Sequence, residues 1–210
     1  MTGKQKAAAV RLVLNTYLLA SMVADVILDA GLAIRFYSLI ALVIVNALAP
    51  FMKKVFRTEL STGVYAFILV FVVVGTYTGN RFDLYHRFFA YDIALHLLSG
   101  IMIVLAADEL LFPAAVRNAS TAPWRIFILA MIGIAGAAIW EICEFSLDII
   151  TGEDVQRNLI EEKEIFGRSW QNSGIKDTMN DMINGTAGAL AGAILVFIRN
   201  IMSKSHRRKD

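Results

Sequence analysis

Six stretches of this chain are apolar along nearly their whole length, and polar connections separate them. They run approximately Leu12–Ala33, Phe36–Met52, Thr62–Tyr77, Ile93–Phe112, Ile126–Ile149 and Met179–Met202. A helix needs about 20 mostly apolar residues to cross the hydrocarbon of a bilayer. In lipid the backbone must pair its polar groups internally, so only helices and closed barrels can span. A barrel strand would alternate apolar and polar positions, and these runs are continuous. Helix breakers fall at the ends of the runs. Pro50 with Lys53 and Lys54 closes the second, Gly79-Asn80 the third and Pro113 the fourth, while Pro123 precedes the fifth. The expected fold is all-α and integral to the membrane: a six-helix transmembrane bundle in one polytopic domain over residues 1–210. Its only long connection covers about residues 150–177.

Composition agrees with the pattern. Of 210 residues, 57% are hydrophobic and 18% charged, and the mean hydropathy is +0.60. Soluble domains carry roughly 45–50% apolar and about 25% charged residues. A net charge of +2 gives no support to nucleic-acid binding. The single cysteine, Cys143, excludes an intramolecular disulfide and any zinc site built on several cysteines. Lys4, Lys6 and Arg11 followed by an apolar run could open a signal peptide, but the run continues well past Ala24, as a retained span would.

Charge placement predicts orientation. With a cytoplasmic N-terminus, thirteen of the twenty Lys and Arg residues fall on inside segments and seven outside. The positive-inside rule therefore favours N-in and C-in termini in the plasma (inner) membrane. The basic tail His206-Arg207-Arg208-Lys209 would lie against anionic headgroups, each cation contributing about 1 kcal/mol. The residues specify no oligomeric state.

Ionisable residues inside spans are costly and become functional candidates. Asp92 and His96 are four apart and share a helix face, with Gly100 one further step along. Glu141, Glu144 and Asp148 form an acidic stripe at the end of the fifth span. Asp177, Asp181, Asn184 and Gly188 form a face at the start of the sixth. Under the N-in topology all three stripes reach one depth near the extracytoplasmic side. Nearby Gly133, Gly136, Gly185, Gly188 and Gly192 allow close helix approach. A shared polar pocket follows.

Four carboxylates in a low-dielectric pocket need a counter-charge, either protons or a cation. Carboxylates with one imidazole suit Mg, Mn or Zn, and such an ion could activate water or polarise a phosphoryl or carbonyl oxygen. The candidate metal ligands are His96, Glu141, Glu144, Asp177 and Asp181. The candidate catalytic residues are His96, Asp92 and Glu144, with His96 as a general base oriented by Asp92. The expected partners are membrane lipids and an envelope or lipid-linked substrate. Two further readings stay open. In one, a proton-coupled transporter, the pocket would continue toward Asp108 and Glu109, although Ile101–Leu105 between them is apolar. In the other, a structural or accessory protein, the acids simply bond across helices.

The remaining polar and aromatic residues have simpler expectations. Asp25 and Asp29 either join the pocket or reach interfacial water. Asp108 and Glu109 are expected in solvent, and Cys143 in packing. Trp124, Trp140, Trp170 and Tyr77 are expected at the membrane interface. Residues 81–89 are expected as an interfacial amphipathic loop, and Glu161–Phe166 as a short surface helix.

Taken together, Tyr91-Asp92, His96, Gly100, Trp140-Glu141, Glu144, Gln171, Asp177, Asp181-Met182, Gly185 and Gly188 resemble the YjdF-like bacterial inner membrane proteins over roughly residues 60–200. The Asp181-x-x-Asn184-Gly185 pattern is more distantly similar to VanZ-like membrane proteins linked to glycopeptide resistance. In the YjdF-like family a Gly-Asp pair follows the last-loop Gln. Here Gln171 is followed by Asn172-Ser173-Gly174, so that acid is absent. The resemblance implies a multi-pass membrane fold and no particular reaction.

Overall fold

The structure, a computed structural model, describes residues 1–88, 90–119, 122–152 and 173–207. No strand occurs among them. Six helical segments are long and apolar enough to cross a membrane: Gly3–Ile27, Leu32–Phe56, Thr62–Arg81, Ala90–Leu111, Pro123–Ile150 and Ile175–Met202. The protein is therefore an all-helical, multi-pass membrane protein.

Helix α1 (Gly3–Ile27) begins earlier than its apolar run because Thr2 and Gln5 form a capping box around its first turn. Helix α2 (Leu32–Phe56) continues through Pro50 and past Lys53 and Lys54, correcting the expected stop. Proline removes one backbone donor, a loss that membrane helices tolerate. The helix ends instead at Arg57, whose φ of 55° is left-handed. The third span does not stop at Gly79-Asn80 either. It runs from α3 (Thr62–Val72) through a π-helical turn, Val73–Thr78, into α4 (Gly79–Arg81). After the single turn α5 (Leu84–Arg87) come α6 (Ala90–Leu111), α7 (Ala114–Ala119), α8 (Pro123–Thr151) and α9 (Ser173–Arg207). Trp170, Gln171 and the segment Glu161–Phe166 lie outside the described residues.

The chain divides into two compact units. The first comprises Met1–Tyr91 with Ala106–Val116. Its core is Leu18, Ala41, Val45, Tyr65, Leu69, Val73 and Tyr77, drawn from α1, α2 and the third span. Asn15 and Asn46 exchange amide hydrogen bonds of 3.1 and 2.9 Å between α1 and α2. Asp108 and Glu109, expected in solvent, are buried. Glu109 accepts from the Ser61 backbone N–H at 2.6 Å and the Ser61 hydroxyl at 2.8 Å. The carboxylate thereby sits at the start of α3, where the helix dipole favours negative charge.

Within the same unit, Asp25 is fully buried. It accepts from the Tyr77 hydroxyl at 2.7 Å and pairs with the Arg81 guanidinium. Tyr77 is therefore a core residue and not an interfacial one. Asp29 stays exposed and pairs with Arg35 at 2.8 Å. The π-helical turn holds this arrangement in place. Its Gly75 and Val74 carbonyls accept from the Tyr85 and Tyr91 hydroxyls, each at 2.8 Å, and its Thr76 carbonyl accepts from the Asn80 amide at 2.8 Å.

The second unit comprises Asp92–Leu105 with Arg117–Asp210, and so takes part of α6 together with α8 and α9. Small residues set its helix spacing. A Cβ on Gly100 would collide with the Gly185 carbonyl oxygen, and one on Gly188 with the Leu97 carbonyl oxygen. The α6 and α9 backbones are thus in direct contact. Between α8 and α9, the position of a Cβ on Gly185 lies 2.6 Å from the Ala137 Cβ, and that on Gly133 lies 2.5 Å from the Ala189 Cβ. Such contacts are how membrane helices associate where no hydrophobic force separates helix from lipid.

Candidate functional site

The glycine contacts determine what faces what one turn further along. Gly100 of α6 meets Gly185 and Gly188 of α9, so His96 lies beside Asp181, each four residues before one of those glycines. Ala137 of α8 meets Gly185, so Glu141, one turn on, enters the same space. His96, Glu141 and Asp181 are only 7%, 5% and 4% exposed. Three helices therefore bring three ionisable side chains into one buried place, and Asp92 joins them from the first turn of α6.

The His96 imidazole is the hub. Its Nε2 lies 3.7 Å from Asp92 Oδ1 and 3.6 Å from Asp181 Oδ2. Its Nδ1 lies 3.9 Å from Glu141 Oε1. These separations exceed hydrogen-bond length. Ligand atoms of Asp92, His96 and Asp181 all fall within 4.8 Å of one another. Two donors on one ion, each about 2.0–2.2 Å from it, stand roughly 3–4 Å apart, so this trio has the dimensions of a cation site. The Thr178 hydroxyl bonds the Glu141 carboxylate, yet the buried Glu141 Oε1 has no hydrogen-bond partner. That is unusual for a buried polar atom.

The other expected site residues lie around this centre. Glu144 is half-buried, and its Oε1 accepts from the Trp140 indole N–H at 2.7 Å. Asp177 is also half-buried, one turn before Asp181. Both lie within electrostatic range of Asp181, but neither belongs to the trio. Asp92 shares the Nε2 side of the imidazole with Asp181, while Glu141 lies on the Nδ1 side. Thr178 was not foreseen, although it stands three residues before Asp181 and so shares its face. Cys143, expected in packing, is exposed. Trp124 and Trp140 are both 55% exposed.

An open, groove-like cavity of about 350 Å³ shares Glu141 with the site on the α8–α9 side and is lined by Ala138, Glu141, Ile142, Phe145, Thr178 and Met182. Deeper along the same helices the interior is filled by Val104, Leu129, Ala189 and Ala193, all buried and apolar.

No curated protein and no solved structure matches the chain. A family model described as "Predicted membrane protein (DUF2238)" matches residues 9–201. DUF2238 is the YjdF family, and the match extends the resemblance to the first two spans. The chain belongs to the DUF2238 family of predicted membrane proteins.

Proposed function

We propose that Asp92, His96 and Asp181 bind one divalent cation, and that the resulting centre acts on an envelope or lipid-linked substrate. The observation that carries this reading is His96 Nε2 flanked by two carboxylate oxygens at 3.6 and 3.7 Å. Charge supports it as well. Three carboxylates surround one imidazole, an excess of acid that needs protons or a cation to balance it. A divalent ion balances that excess. One imidazole with two carboxylates suits Mn or Zn better than Mg, which prefers oxygen and water.

Glu141 faces the other ring nitrogen, the usual place for a carboxylate that orients a ligating histidine. A bound cation would supply a polarised phosphoryl or carbonyl oxygen and an acidified water. His96 and the acids would hold the ion, and Glu141 would fix the imidazole. The buried apolar residues deeper in the unit favour a pocket over a transport path. The count of thirteen cations against seven supports termini in the cytoplasm and a site that opens to the outer side of the inner membrane.

The test is elemental analysis of detergent-purified protein after incubation with Mn or Zn. We expect about one ion per chain, lost in Asp181→Asn and in His96→Ala and kept in Glu144→Gln. Negligible metal in the unaltered protein overturns the reading. Alkaline phosphatase and fluorescent-protein fusions at the C-terminus test the orientation.

A further inference from the structure

We infer that the cavity between α8 and α9 is the seat of a lipid tail, and that the substrate of the proposed centre is a phosphoryl-bearing lipid entering sideways from the membrane. This rests on the metal-site reading for the headgroup but on separate observations for the tail.

The first observation is the cavity's largely apolar lining. Ala138, Ile142, Phe145 and Met182 are apolar, and the two polar lining residues, Glu141 and Thr178, are bonded to each other. The second is where the cavity opens. Ile142 and Phe145 are 62% and 53% exposed on a helix long and apolar enough to span, so the outer rim continues into the surface that acyl chains cover. The third is where it ends. Glu141 forms part of the cavity wall, and its Oε1, buried and without a hydrogen-bond partner among the described residues, lies 3.9 Å from His96. A volume of about 350 Å³ falls at the lower end of ligand pockets, which hold about 300–1,000 Å³. It suits one flexible chain better than a bulky polar molecule. An amphipathic ligand with its tail between Ile142, Phe145 and Met182 would place its head at Glu141, the wall residue that faces His96. There a cation held by carboxylates would meet a phosphate oxygen.

The protein can be tested in phosphatidylcholine nanodiscs doped with phosphatidic acid that carries a diazirine in its tail. After illumination, the labelled residues are mapped by mass spectrometry. We expect labelling to concentrate on Ile142, Phe145 and Met182, above that on Leu190 and Ile198, which are also exposed on the helix surface. Ala138→Trp fills the cavity and should lower labelling there about tenfold, the equivalent of 1.4 kcal/mol of lost binding. Bound metal and labelling at Leu190 should stay unchanged. Ala138→Leu, a milder change, should lower it in the same direction. Equal labelling of all exposed positions, insensitive to both variants, overturns the proposal. Selective labelling in a protein that binds no metal would leave the tail site standing and remove the metal reading. Metal binding with unselective labelling would do the reverse.

Discussion

Two buried ionic groups, one in each unit, share ingredients but differ in their accounts of charge and hydrogen bonding. In the first unit, Asp25 faces one guanidinium and one phenol, and each carboxylate oxygen is met by a donor. Charge is balanced and bonding is closed. In the second, three carboxylates surround one imidazole at 3.6–3.9 Å, and one buried oxygen has no hydrogen-bond partner among the described residues. An ionisable residue in a membrane span is thus a weak indicator by itself. The informative quantity is the imbalance left after internal partners are counted. A closed group can hold helices together, whereas the second leaves the buried Glu141 Oε1 without a hydrogen-bond partner among the described residues.

The widest gap between the groups should appear on removing one acid from each. Asp25→Ala takes the carboxylate from the partly buried Arg81 and the buried Tyr77 hydroxyl, and each lost hydrogen bond to a charged group costs about 1.5–3 kcal/mol. A large drop in the thermal unfolding midpoint in detergent should follow. Asp181→Asn removes excess negative charge and, without metal, should leave the midpoint unchanged or raised. Equal losses would erase the distinction. Next in size is Gly188→Ala, which drives a methyl group into the Leu97 carbonyl. Overpacking of this kind costs about 1–3 kcal/mol, and separating α6 from α9 should also abolish metal binding while the Asp25 group stays intact. A midpoint and metal content equal to those of the parent protein would show that the backbone contact does not position His96. Glu141→Gln should weaken metal binding about 10–100-fold, as expected for a group that orients a ligand, measured by competition with a chelator. No change would leave Glu141 to the lipid cavity alone. The smallest effect belongs to Glu144→Gln, which alters a partly exposed hydrogen bond with Trp140 and should cost about 0.5–1.5 kcal/mol. Metal content should stay constant, and its loss would move Glu144 into the centre.

The spans were legible because a run such as Ile126–Ile149 has no other way to satisfy its surroundings. Pro50 and Gly79-Asn80 were misleading for a physical reason. They end helices in water, where freed backbone groups find new partners, but a helix in lipid has little to gain by stopping. The Asp25 group stayed hidden as a consequence. Tyr77 and Arg81 are four apart, yet the pair shows itself only if the helix continues through Gly79. In the second unit, i,i+3 and i,i+4 spacings were enough to put Asp92, His96, Glu141 and Asp181 on polar helix faces. It could not say which acid faces which imidazole nitrogen. That depends on how far α8 and α9 slide past α6, which the contacts at Gly100, Gly185 and Gly188 decide.

The π-helical turn at Val73–Thr78 makes the third span sensitive to counting. A π-turn amounts to one extra residue in an α-helix, so everything beyond it is rotated by about 100° relative to an uninterrupted helix. That rotation is what aims Arg81 at Asp25. Deleting a single residue here, even with every side chain that touches Asp25 retained, would swing the guanidinium away from its carboxylate. Length, and not only spelling, is therefore under constraint in this segment, and insertions or deletions there should be far less tolerated than substitutions.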